Sequence, residues 1–345
     1  MPKVVILGAG VIGLTTAIVL RKNGFDDITI VGKYLPGDDL THEFTSPWAG
    51  ASIVSFAFEN KLLQDIDLIS FQEFERQVKE APEAGVMHCP GVHYSEIEDP
   101  AAEAWAHKLY TNTTSIPKDQ LPKGVVFGYK FQSFTMSAPR YLSWLVANVQ
   151  KLGIAIERGT FEALSQVADH YDGADIVINC TGLGSLFLTD VQDKTVNAIR
   201  GQTVLVNAPH IKTQMYREGP DVYTYIIPRP DGNVIVGGTL DYVNKSTVAD
   251  PAITRDILKR VYELNPELTH GKGPDAFNVV SQNVGFRPGR KDSVRIEKQV
   301  RDNHGKKLTV VHNYGHGAHG YQSCWGSAVK VLELLNDGVQ LKAKL

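Results

Sequence analysis

The feature that most limits what this chain can fold into stands at residues 4–13. Val4-Val5-Ile6-Leu7 is a continuous apolar, largely β-branched run, the pattern of a strand buried on both faces. Gly8-x-Gly10-x-x-Gly13 follows it directly and opens a helical stretch, Val11 to Lys22, that ends at Asn23-Gly24. In such a turn Gly8 permits the sharp bend and Gly10 lets backbone approach a pyrophosphate. Gly13 lets helix and strand pack closely, while the free N–H groups at Val11 and Ile12 face the anion. A structural turn alone would not need all three glycines at this spacing. With Ile28-Thr29-Ile30-Val31 as the next strand the segment is a βαβ unit, which implies a parallel sheet that binds a dinucleotide. The second strand lacks the usual terminal acid. Gly32-Lys33-Tyr34 follows it and the acids come at Asp38 and Asp39, so backbone or Lys33 is left to hold the adenosine ribose.

The chain has 345 residues, too many for one small core and suited to two interlocked domains. With 43% hydrophobic and 21% charged residues it reads as a soluble globular protein. A net charge of −3 gives no broad attraction to nucleic acid or anionic membrane. No apolar run reaches the roughly 18 to 20 residues of a membrane span, and the apolar start reads as a strand, not as the core of a signal peptide. Cys89, Cys180 and Cys324 are too dispersed for a disulfide framework or a CxxC site and are expected as free thiols.

Further along, helices are expected over 61–80, 138–152, 251–264 and 323–335. The polar face of 61–80 is expected to be solvated. Short strands are expected at 154–156, 175–179, 203–206 and 308–312, and a hairpin over 222–239 turns at Pro230-Asp231-Gly232. Parallel βα signals at both ends with antiparallel signals between them indicate an α/β fold of interleaved pieces. The division is a discontinuous nucleotide domain from 1–55, 138–200 and 285–340, and a substrate domain from 56–137 and 201–284. A tail follows at 341–345.

From Thr45-Ser46-Pro47-Trp48-Ala49-Gly50-Ala51 onward the sequence resembles the D-amino-acid oxidase family, which includes the D-aspartate oxidases. The same family is resembled at Asn179-Cys180-Thr181-Gly182-Leu183-Gly184, at Arg200-Gly201-Gln202, at Tyr225-Ile226-Ile227-Pro228-Arg229-Pro230, at Asn283-Val284-Gly285-Phe286-Arg287-Pro288 and at 312–322, in the expected order. The resemblance implies FAD on a Rossmann-like domain of the glutathione-reductase type, joined to an antiparallel substrate domain. It implies oxidation of D-amino acids by oxygen to 2-oxo acids, ammonia and hydrogen peroxide, by hydride transfer from Cα to flavin N5. Homodimerisation is a family expectation.

Carried over residue by residue, Arg287 grips the substrate carboxylate, Tyr225 adds a hydroxyl donor and Gln322 lies beside the flavin. Ala318 offers a carbonyl to the substrate amine. Thr45, Ser46, Ala49-Gly50-Ala51, Thr181-Gly182, Gly317, Gly320 and Tyr321 join the glycine turn around FAD. Arg287 also stands on physical grounds, since a guanidinium between apolar residues requires an anion, and its planar fork suits a carboxylate. Three histidines in 312–322 invite a metal reading, but a glycine-rich turn without nearby thiols or carboxylates does not converge as zinc ligands must.

Substrate choice is left more open. Phe56 and Met215 favour an apolar pocket for neutral side chains. Arg217 is either a pocket cation for an acidic side chain, as in D-aspartate oxidases, or a surface charge paired with Glu218. Where acid-specific relatives carry a second basic residue this chain has Leu240. A glycine- or sarcosine-type oxidase would keep the flavin and the carboxylate clamp. An NAD-dependent dehydrogenase explains only the glycine turn, and an inert FAD scaffold does not require Arg287 and Tyr225. Ala343-Lys344-Leu345 resembles the peroxisomal address Ser-Lys-Leu, read by the import receptor, and peroxide release suits that compartment.

Overall fold

A computed structural model describes residues 2–337 and 344–345. In chain order the elements are β1 (Lys3–Leu7), α1 (Val11–Lys22), β2 (Asp27–Gly32), α2 (Lys61–Glu80), β3 (Val86–Ser95), α3 (Pro100–Leu109), β4 (Thr111–Ser115) and β5 (Phe127–Met136). Then come α4 (Ala138–Lys151), β6 (Ala155–Arg158), α5 (Leu164–His170), β7 (Ala174–Asn179), β8 (Val196–Asn207), β9 (Gln214–Glu218), β10 (Tyr223–Pro228) and β11 (Asn233–Gly237). The chain closes with α6 (Pro251–Leu264), β12 (Val279–Arg290), β13 (Arg295–Asn303), β14 (Lys306–Tyr314) and α7 (Gly320–Leu335).

The strands form two sheets. One has the order β13-β14-β7-β1-β2-β6, parallel except for the β13 edge. Val4, Val5 and Ile6 of its central strand are fully buried, as a strand covered on both faces requires. α1 and α7 pack together on one side of this sheet. The second sheet, β12-β8-β11-β10-β9-β3-β5-β4, is antiparallel except between β3 and β9. β8 begins at Val196 and β12 ends at Arg290, so both strands of the second sheet run across the boundaries expected at 200 and 285.

The expected hairpin forms as β10 and β11. The closing helix starts three residues earlier than the periodicity suggests, because Gly320 and Tyr321 continue its first turn. The solvated face expected for α2 holds at Lys61, Gln72, Lys79 and Glu80 but fails along one polar stripe. Asp67, Ser70, Glu73 and Gln77 are each at most 3% exposed. They recur at helical spacing beneath α7 and α4, where Ser70 Oγ accepts from Gly326 N of α7 at 2.9 Å and Gln77 Oε1 accepts from Tyr141 Oη of α4 at 2.9 Å. A polar stripe that finds partners can be buried, and hydropathy does not report whether partners exist. All three cysteines are free and buried. Among the described residues no helix is long and apolar enough to cross a membrane.

Candidate active site

A cavity of about 2510 Å3 runs from the glycine turn to the second sheet. Every expected site residue lines it except Gly13, Met215 and Arg217.

At the nucleotide end the glycines do separate jobs. Gly8 has φ +118, and a Cβ there would lie 2.7 Å from the Cys180 carbonyl carbon. At Gly10 a Cβ would come within 2.8 Å of Ser46 Oγ, the hydroxyl that accepts from Val11 N at 3.1 Å. At Gly13 it would overlap the Gly8 carbonyl, so this glycine seats α1 against β1 and has no place in the cavity wall. The first turn of α1 holds no acid. Val11 N, expected to face the anion, is taken by Ser46 Oγ, so it is the following first-turn amides and the helix dipole that are available to an anion.

At the end of β2, Lys33 Nζ pairs with Glu43 Oε2 at 2.5 Å, while Asp38 is held bidentately by Arg158 at 2.7 and 2.8 Å. The carboxylate on the cavity wall there is Glu43. It was hidden in the sequence by the ten-residue excursion between Gly32 and Glu43.

Along the middle, Arg229 clamps the Ala49-Gly50-Ala51 segment. Its Nε donates to the Gly50 carbonyl at 2.5 Å and its Nη2 to the Ala49 carbonyl at 3.0 Å. Tyr321 Oη donates to the Ser46 carbonyl at 2.9 Å, and Thr45 Oγ1 to the Phe286 carbonyl at 2.9 Å. Across the cavity, Thr181 is fixed by Asn179 Oδ1 through its N–H at 3.1 Å and its hydroxyl at 2.8 Å. The next residue, Gly182, turns the chain at φ +56. Gly317 N donates to the Pro288 carbonyl at 2.9 Å and pins the loop ahead of α7. Burial lowers the His316 imidazole to about 3 and, with Arg287 nearby, the His319 imidazole to about 4, so both are neutral near pH 7.

The substrate end is built on the pleat of the second sheet. Tyr216 pairs with Tyr225, Tyr225 with Gly237, and Gly237 with Thr203, so these residues share one face. Gly201 and Arg287 lie on that face by the same alternation. A Cβ on Gly201 would stand 2.6 Å from Arg287 Cζ. One on Gly237 would meet Tyr225 Cζ at 2.6 Å, and one on Gly238 would meet it at 2.8 Å. The guanidinium and the phenol therefore lie flat on a glycine floor of adjacent strands, both facing the cavity. Arg287 Nη1 donates to the Thr239 carbonyl at 3.0 Å. Among the described residues no carboxylate lies within ion-pair distance of it, which leaves the rest of its fork for an incoming anion. β10 opens at Tyr223, two residues before Tyr225, which is thus inside the strand. Phe56 packs against Tyr223 and His319, with ring centroids 5.7 and 4.8 Å apart, and forms an apolar wall beside this floor.

Two expectations fail here for one reason. Because Tyr216 faces the cavity, Met215 and Arg217 point to the other side of the sheet. Met215 packs on the cluster of Val204, Val206, Ile226 and Val236 beneath α6. Arg217 Nε pairs with Glu96 Oε1 at 2.7 Å, not with Glu218, and contributes nothing to the cavity wall.

Gln322, in the first turn of α7, is 5% exposed, and its Nε2 donates to Asp67 Oδ2 at 2.8 Å. The residues present fit FAD. A glycine cradle, two helix N-termini free of acids in their first turns, and a cavity several times the roughly 300–1,000 Å3 of ordinary ligand pockets match an extended dinucleotide beside a small substrate.

The comparisons agree with this geometry. A family model described as FAD dependent oxidoreductase matches residues 3–334. A D-amino-acid oxidase of Schizosaccharomyces pombe is 36% identical over 341 residues, covering 98% of this chain and 97% of its own. A D-aspartate oxidase of Talaromyces thermophilus is 31% identical over 363 residues, covering 97% and 95%. Among solved structures, glycine oxidase from Bacillus cereus superposes with a TM-score of 0.74 at 17% identity, covering 98% of this chain and 95% of that one, a likeness of fold. The chain belongs to the FAD-dependent oxidoreductase family that contains the D-amino-acid oxidases.

Proposed function

We propose that this protein oxidatively deaminates neutral D-amino acids to 2-oxo acids, releasing ammonia and hydrogen peroxide. The observation that carries the reading is the pair of Arg287 and Tyr225 laid on the Gly201, Gly237 and Gly238 floor, facing the cavity with no internal anion. A fork and a phenol so placed hold a carboxylate by parallel hydrogen bonds. Ala318 and Gln322 also line the cavity, and in this reading the Ala318 carbonyl and the Gln322 amide receive the amine. Val54 and Phe56 add apolar surface to the same cavity, which favours exclusion of water around the substrate. FAD supplies, when bound, the acceptor for the hydride of Cα and passes its electrons to oxygen. The protein's own contribution is orientation, since a substrate fixed at carboxylate and amine presents one face of Cα only.

Neutral side chains are favoured over acidic ones by the charges on the wall. Glu218 and Asp221 line the cavity, whereas Arg217 faces away. Arg260 reaches the wall from α6 but is engaged by Asp256 at 2.8 Å and by Thr224 Oγ1 at 2.6 Å. Peroxide production across D-alanine, D-valine, D-aspartate and their L-forms tests both levels. Turnover of L-forms alone refutes the stereochemical assignment, and preference for D-aspartate refutes the neutral one.

The peroxisomal reading is part of this proposal. Ala343 lies outside the described residues, and the Lys344 backbone bonds the Asn23 side chain at 3.0 Å. Appending one residue after Leu345 should abolish organelle import, and unchanged import would remove the signal.

A further inference from the structure

Asp67 is a buried carboxylate on the cavity wall that the proposed chemistry leaves without a role. It projects from α2 and meets two elements. From the loop after the flavin-lining segment, Ser55 Oγ donates to Asp67 Oδ2; from α7, Gln322 Nε2 donates to the same oxygen at 2.8 Å.

The direction of these bonds is fixed by their neighbours. Trp105 Nε1 donates to Ser55 Oγ at 2.7 Å, and Ala57 N donates to it at 3.2 Å. Neither nitrogen can accept, so both lone pairs of the Ser55 hydroxyl are occupied and its proton goes to Asp67. Oδ2 must therefore accept, and the Gln322 amide must turn its NH2 toward it. The reverse orientation would set a carbonyl oxygen against a carboxylate oxygen. Gln322 Oε1 accordingly turns away from Asp67, accepts nothing from the described residues, and opens on the cavity. Ala318, whose carbonyl is assigned to the amine in the proposed reading, lies in the loop just ahead of α7, four residues before Gln322.

We propose that Asp67, locked by Ser55, is a positioning residue that holds the Gln322 amide with its carbonyl oxygen toward the substrate amine. The proposal rests on the D-amino-acid oxidase reading. An anchored acceptor is what an amine needs, because a freely rotating amide would present its own donors half the time. The donors Trp105 and Ser55, ending on the Asp67 acceptor, thus convert a buried carboxylate into a fixed polarity at the cavity wall.

The test compares benzoate, a carboxylate without an amine, with anthranilate, which adds one. Binding is followed by the flavin absorbance shift of the FAD-loaded enzyme. Asp67→Leu should weaken anthranilate roughly tenfold, the worth of about one hydrogen bond, and leave benzoate within about twofold. The Asp67→Leu and Gln322→Leu double variant should be no weaker than Gln322→Leu alone. Equal weakening of both ligands, or additive losses, overturns the proposal. If Asp67→Leu does not load flavin, Asp67→Asn carries the test. It keeps an acceptor oxygen for Ser55 and Gln322 and should bind anthranilate within about threefold, while Gln322→Leu loses roughly tenfold. A tenfold loss in the Asn variant, or none in Gln322→Leu, has the same overturning force. Because the ligands are not turned over, this outcome is independent of the D-alanine assay, whose failure sinks the functional reading instead.

Discussion

At the nucleotide end of the cavity glycines clear space for a ligand, whereas at the substrate end they clear space for the protein's own side chains. Gly8, Gly10 and Gly13 bring backbone of β1 and α1 close to a pyrophosphate and to each other. Gly201, Gly237 and Gly238 instead let Arg287 and Tyr225 lie down on the sheet. The same residue type thus serves cofactor affinity in one place and substrate geometry in the other, and substitutions in the two sets should separate the two properties.

The largest effect belongs to the first set. Gly13→Ala forces a Cβ into the Gly8 carbonyl, a backbone atom that cannot yield unless α1 shifts from β1. Overpacking of this kind costs about 1–3 kcal/mol or more, and here it displaces the phosphate turn itself. The purified variant should lack flavin absorbance, and a fully yellow protein would show that this glycine is dispensable. Next comes Arg287→Ala. Removing one partner of a buried charge pair costs about 2–5 kcal/mol, so kcat/KM for D-alanine should fall by two to three orders of magnitude, mostly through KM, with FAD retained. Gly201→Ala should imitate it in weaker form. A methyl 2.6 Å from Arg287 Cζ lifts the guanidinium without removing it, which should raise KM on the order of tenfold, about 1.4 kcal/mol. An unchanged KM would refute the floor.

The contrast also explains what could be read before the fold was known. The first glycine set is legible because a strand, a turn and a helix lie consecutively, and α1 runs from Val11 to Lys22 as expected. The second set is dispersed over two strands and becomes meaningful only through the pairing of Gly237 with Thr203 and Tyr225. Arg287 is legible as an expensive residue in an apolar frame. Met215 and Arg217 were misplaced because a one-residue change of register exchanges the faces of a strand, and the sequence of β9 alternates too weakly to fix it. β3 escaped notice because Pro90 and Gly91 interrupt it and His93 is buried within it. The buried stripe of α2 escaped because its partners come from α7, from α4 and from the loop at Ser55, apart from it in sequence.

That stripe has a pH signature of its own. Burial raises the Asp67 carboxyl from 3.8 to about 6, against the lowering influence of Ser55 and Gln322. The protonated form is thus favoured in the folded state, and its contribution to stability is complete below the unfolded value near 4. It is lost as pH rises from about 4 through about 6. A shift of roughly two units corresponds to about 3 kcal/mol. Urea unfolding at pH 4.5 and 8 should show most of this loss, about 2 kcal/mol, in the native chain and not in Asp67→Asn. Parallel pH dependence of the two would mean that the carboxyl is not desolvated as the structure indicates.

The smallest expected effect sharpens the substrate end from outside. Arg217 lies on the face opposite Tyr216 and pairs with Glu96 in a half-exposed position, its side chain 33% accessible. Such pairs contribute about 0–1 kcal/mol, so Arg217→Ala should lower stability by no more than that. Its kcat/KM should stay within about threefold for D-alanine and shift equally for D-aspartate. If only D-aspartate turnover fell, the guanidinium would have to reach the cavity. β9 would then have to slip by one residue against β10, which would carry Tyr216 off the face it shares with Tyr225. A change at one surface arginine therefore reports on the register that puts Tyr216 on the face it shares with Tyr225.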